Sequence, residues 1–201
     1  MKSVYSLVLS DEVVSAVDKA AYQKGVSRSA MIDEILAERL SLETPQKRRA
    51  DVFRHLEELF LGSGMRYLTR SSGTAADLFS ALNYRYNPTV RYAVTLYEGS
   101  ERPGEIRVSL RSQNAALLGH FNAFFALFDR LERQNGSVDS ETENGRYTRY
   151  LLPETQENGG AGQQISVLIE RINRLLECYF DALSTGADAE KATAQLYRKL
   201  A

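Results

Sequence analysis

Arginine and tyrosine interleave twice in this chain, at Tyr84, Arg85, Tyr86, Arg91 and Tyr92, and again at Arg146, Tyr147, Arg149 and Tyr150. Aromatic rings beside guanidinium groups are what stack bases and contact phosphates in single-strand nucleic-acid binders. Tyr92, however, falls on the apolar side of an alternating stretch, which makes part of the pattern structural. Other chemistry is thinly supplied. His55 and His120 are each isolated within a helical pattern, and His55 shares a helical face with Glu58 as a surface pair. Neither histidine has the neighbours a zinc or nickel site requires. The single cysteine, Cys178, lies in an apolar helical pattern with no second thiol for a bridge or metal knuckle. The loop around Ser71-Ser72-Gly73 has hydroxyls and a glycine but lacks the lysine and spacing of a phosphate-binding loop. With no nucleophile elbow, dinucleotide-binding glycine pattern or Walker sequence, the expectation is a protein that is not an enzyme and uses no metal or cofactor.

Bulk properties narrow the class. Hydrophobic content of 43% and charged content of 25% are ordinary for a globular protein. No apolar run approaches a bilayer span, and Met1-Lys2 leads into a strand pattern rather than a signal-peptide core, so a cytoplasmic protein without membrane contact is expected. The net charge of −1 excludes the broad basic field of a protein that coats nucleic acid nonspecifically. Residues 1–49 hold eight Lys or Arg against seven acids, so a DNA-binding role there depends on local clustering of charge.

The elements that would position such a cluster run strand, helix, turn, helix over residues 2–42. From Ser3 to Leu9 the side chains alternate, with Tyr5, Leu7 and Leu9 on one face and Val4, Ser6 and Val8 on the other. Ser10 suits an N-cap, Asp11 and Glu12 suit the positive end of a helix, and Val13, Val17, Ala20 and Ala21 form an inward stripe that Gly25 ends. Ser27 caps a second helix carrying Met31, Ile32, Ile35, Leu36 and Leu40 at intervals of three and four. A strand and two helices cannot bury a sufficient core alone, and a lone strand leaves both edges unpaired; a second copy answers both problems.

This arrangement resembles the ribbon-helix-helix family of DNA-binding proteins, the Arc, MetJ and CopG type, over about one fifth of the chain. The resemblance implies a homodimer, or a higher homo-oligomer, whose two N-terminal strands pair into an antiparallel ribbon that enters the major groove of double-stranded DNA. It implies that Lys2, Val4, Ser6 and Val8 face the bases. Two valines per strand depart from the polar or basic residues common there, leaving thymine methyl contacts and the Ser6 hydroxyl as readout. It also implies a backbone phosphate held at the start of the second helix, where Lys24, Ser27, Arg28 and Ser29 stand. Lys47, Arg48 and Arg49, just beyond, would reach flanking phosphates, or else form a solvated turn.

The remaining chain reads as a larger domain. A helix begins at Thr44-Pro45 and runs to about Leu61, with Val52, Phe53, Leu56, Leu59 and Phe60 apolar. Thr74 caps a short helix to about Asn83. Alternation over residues 90–97 and 105–111 gives an antiparallel hairpin with Arg91, Arg107 and Arg111 on its wet side. A long helix from about Gln113 to Arg133 carries an aromatic stripe, residues 134–145 read as a mobile loop, and Arg146–Leu152 as a strand. Two helices close the chain, one along Ile165–Leu183 and one capped by Asp188. The expected class is α+β, with a DNA-binding and dimerisation module at 1–43, a connecting helix at 44–62, and an α+β domain at 63–201 for oligomerisation, ligand or partner binding. The leading reading is a sequence-specific transcriptional repressor. A plasmid or mobile-element relaxosome or partition accessory, and an antitoxin-like adaptor whose C-terminal domain binds another protein, remain open beside it.

Overall fold

A computed structural model of the chain describes residues 6–42, 45–70, 73–97, 101–136, 138–143, 145–153 and 160–200. The chain divides into two compact units, residues 1–48 and 49–201.

In the first unit, α1 (Asp11–Lys24) starts after Ser10, whose backbone is extended and whose side chain makes no capping hydrogen bond. Gly25 ends it with φ 67°, a left-handed conformation that costs glycine nothing. The Gly25 and Val26 amides then donate to the carbonyls of Tyr22 and Ala21, which satisfies two carbonyls the helix would otherwise leave open. α2 (Arg28–Arg39) is capped by Ser27, whose hydroxyl accepts from the Ala30 amide at 3.2 Å. The two helices meet through Val17, Ala21 and Met31, with Ala20 and Ile32 packed at the margin.

Of the strand expected over Lys2–Leu9, the described part, residues 6–9, forms no strand in the single chain, and regular structure among the described residues begins at α1. A strand is held by hydrogen bonds to a neighbour, and residues 6–9 pair with no strand among the described residues. Lys2, Val4 and Tyr5 lie outside the described residues.

The second unit is α+β. Its six-stranded sheet comprises β1 (Arg66–Thr69), β2 (Ala75–Ala81), β3 (Thr89–Leu96), β4 (Gly104–Leu110), β5 (Ser140–Glu143) and β6 (Arg146–Tyr150), in the spatial order β1-β2-β3-β4-β6-β5 with every neighbour antiparallel. Leu78, Tyr92, Val108 and Tyr147 stand opposite one another across four strands, and all are fully buried. The next row, Asp77, Ala93, Arg107 and Thr148, therefore faces the other way.

The buried face packs against α3 (Pro45–Phe60), through Phe53, Leu56 and Phe60, and against α4 (Ala115–Asn135), α5 (Ala161–Thr185) and α6 (Ala189–Leu200). Phe125 of α4 stacks on Tyr147 at 4.5 Å between ring centres, and the Tyr92 hydroxyl donates to Asn173 on α5 at 3.0 Å. Such aromatic pairs stabilise beyond the area they bury. Asn114 caps α4 by accepting from the Leu117 amide, and Asp188 caps α6 by accepting from that of Lys191. The boundary between units falls inside α3, so most of the helix read from sequence as a connector belongs to the second unit's core.

Two further expectations are corrected. The segment read as a short helix from Thr74 is strand β2, because its flanks pair with β1 on one side and β3 on the other, satisfying backbone groups along both edges. The loop expected over 134–145 contains β5, which turns through Gly145 at φ 76° into β6. β1 was not anticipated at all.

Gly104, opposite Leu96 at the start of β4, is sterically required. A methyl group there would collide with the Thr95 carbonyl oxygen and lie 3.0 Å from Leu96 Cδ2 and 3.1 Å from Leu151 Cδ1. Gly104→Ala is expected to destabilise by about 1–3 kcal/mol, the usual cost of overpacking. A urea midpoint unchanged from the parent would refute this.

Candidate nucleic-acid interface

The helix start at residues 27–29 collects the groups expected to hold phosphate. Its unpaired amides and dipole favour an anion, and Ser27, Arg28 and Ser29 are all exposed there. Ser27 is already engaged as the cap. Arg28 makes a bidentate ion pair with Asp18 of α1, Nε at 2.5 Å and Nη2 at 2.6 Å from the two carboxylate oxygens. The Arg28 hydrogen bond holds the Asp18 carboxyl below its ordinary value, and the same pairing raises the guanidinium. Lys24 is likewise paired, with Glu34.

Spacing along the sequence puts these cations at the turn but gives no direct sign of their acids. The two cations are more than half exposed and their acids, Asp18 and Glu34, are half-buried; ion pairs this open to water contribute little, so a phosphate can compete for either cation.

Of the residues expected to face bases, Ser6 and Val8 are described and exposed, Val8 completely. An open cleft of about 550 Å³ beside them is lined by Leu7, Val8, Leu9, Arg28, Ser29 and Ile32 among others, so the segment before α1 and the start of α2 adjoin one concavity. Lys47 and Arg48 are exposed in the first turn of α3, and Arg49 is half-buried.

Apolar exposure is the most telling property of this unit. Val13, Ile35, Leu36 and Leu40, all assigned to inward stripes from their spacing, are uncovered, Leu36 by 49% and Leu40 by 64%. Among the described residues of α1 and α2, only Val17, Ala21, Met31 and Ala37 are buried.

The interleaved arginines and tyrosines do not form a stacking surface. Tyr92 and Tyr147 are core, and Tyr84 packs edge-on against Phe180 at 5.0 Å. Arg91 joins Arg70 in clamping Asp77 from two sides at 3.0–3.1 Å. Burial of Asp77 opposes ionisation, but the two arginines outweigh it and hold the carboxyl below its ordinary value. Arg102 lies over the Tyr150 ring at 3.9 Å.

A second polar cluster was not foreseen from the sequence. Glu132 of α4 is buried, accepting from Arg149 at 3.2 Å, Arg171 at 3.1 Å and the Tyr197 hydroxyl at 2.7 Å. Burial and the bond to Glu132 raise the Tyr197 phenol. The signal was present: Glu132 follows Phe125 and Phe128 by seven and four residues, which puts an acid on an apolar helical face. Among the described residues no group of His, Cys, Asp and Glu could hold a metal ion, and no helix is long and apolar enough to cross a membrane.

No family model matches the chain, and no curated protein or solved structure shows significant similarity to it.

Proposed function

We propose that the chain is a homodimeric, sequence-specific DNA-binding protein acting as a transcriptional repressor. In this reading the N-terminal strands of two copies pair into a ribbon for the major groove. The observation that carries it is the uncovered apolar stripe on α1 and α2, above a core cluster of three buried side chains. So small a unit does not bury enough surface to stand alone, and a second copy would cover the stripe while giving the segment before α1 a strand neighbour. Pairing would leave the Val8 face outward, toward bases, and the start of α2 toward the backbone. The second unit, with its own large core, suits a sensing or oligomerising domain better than a short disordered tail.

Selection of genomic fragments with the purified protein, followed by gel-shift titration, tests the reading. Ser6→Ala with Lys2→Ala is expected to reduce discrimination between sites. Arg28→Ala should weaken binding evenly across sequences and lower the salt slope by about one, as expected when a single phosphate is no longer neutralised. Asp18→Asn, which releases Arg28, should instead tighten binding severalfold. Failure to enrich any fragment would overturn the proposal, as would indifference of affinity to all of these changes.

A further inference from the structure

In the second unit, an open pocket of about 300 Å³ lies beside the Glu132 cluster, with Glu132, Arg149, Leu152, Gln164, Val167 and Arg171 among its walls. Among the described residues its charges do not balance. Two guanidinium groups, their side chains only 14% and 25% exposed, face a single carboxylate, and the third group bound to that carboxylate is the neutral Tyr197 hydroxyl. A second cation withdrawn this far from water is costly unless an anion answers it.

The geometry of the cluster leaves room for that anion. Each arginine meets Glu132 through Nη1, Arg149 toward Oε2 and Arg171 toward Oε1, and a guanidinium carries five N–H donors in all. The pocket wall is held as well. The Gln164 side chain accepts from the Leu152 amide and donates to the Leu152 carbonyl, both at 3.2 Å. Leu152 and Val167 present exposed apolar surface beside the cationic floor, 38% and 46% exposed.

We propose that this pocket binds a small organic carboxylate, its charged end across Arg149 and Arg171 and its apolar body against Leu152 and Val167. The volume lies at the lower limit for a small-molecule site, which sets the size of the acid. Such a site is independent of DNA binding, and its test contains no DNA.

Calorimetric titration of the full chain with hexanoate, with hexanol as the uncharged counterpart and inorganic phosphate as the bare anion, provides that test. Hexanoate is expected to bind at least tenfold more tightly than either. Val167→Glu, which adds an acid at the exposed rim and leaves the buried cluster untouched, should bind hexanoate at least tenfold more weakly than Val167→Lys. Absence of hexanoate binding in the millimolar range, equal binding of hexanol or phosphate, or equal affinity in the two Val167 variants would overturn the proposal.

Discussion

Leu36→Glu is expected to dissociate the proposed dimer and abolish DNA retardation. In the single chain Leu36 is about half exposed, and a charged residue at such a position ordinarily changes stability by no more than about 0.5 kcal/mol. If the α2 stripe is instead closed by a second copy, the substitution buries an unpaired carboxylate in an apolar interface. Losses at central interface positions reach about 2 kcal/mol or more, on the order of thirtyfold in association. The two situations thus differ in kind at one residue. Sedimentation of the variant beside the parent decides between them, with the far-ultraviolet spectrum confirming that α2 persists. An unchanged sedimentation coefficient would remove the dimer, and with it the ribbon.

Glu132→Ala should produce the largest loss of stability available from one polar side chain in the second unit. Its removal strands Arg149 and Arg171 together and deprives the Tyr197 hydroxyl of its short acceptor. Breaking one side of a buried ionic cluster typically costs about 3–5 kcal/mol, because the remaining charges stay desolvated. Glu132→Gln retains an acceptor oxygen and should lose less. Urea denaturation measures both variants. A loss under about 1 kcal/mol for Glu132→Ala would mean that water reaches the guanidinium groups freely.

Where periodicity was long enough to be unambiguous, the fold was legible from sequence. The β3–β4 hairpin follows from strict alternation at Val90, Tyr92 and Val94 against Ile106 and Val108, and α5 from its apolar recurrence between Ile165 and Leu183. Caps were legible too: Ser10, Gly25, Ser27 and Asp188 all stand at helix ends. The failures have separate causes. In β2 the pair Ala75-Ala76 favours a helix locally, and only pairing on both sides makes the segment a strand. β1 and β5 have four residues each, too few for alternation to be distinguished from chance. The N-terminal segment is a different case: residues 6–9 alternate as a strand does, yet they pair with no strand among the described residues, and alternation without a neighbour does not make a strand. At the candidate interface, residue types and their places on the helices could be read from sequence. The pairing of Arg28 with Asp18 could not, because it depends on the angle at which α1 meets α2.

The shortness of the outermost strands bears on how copies of this protein meet. β5 carries Glu141 and Glu143, both exposed, on the rim that β6 does not cover. Were two such rims to join in antiparallel fashion, rows of carboxylates would be brought together, and like charges set side by side across strands repel. The acidic fringe would therefore discourage end-to-end stacking of the larger unit into fibres.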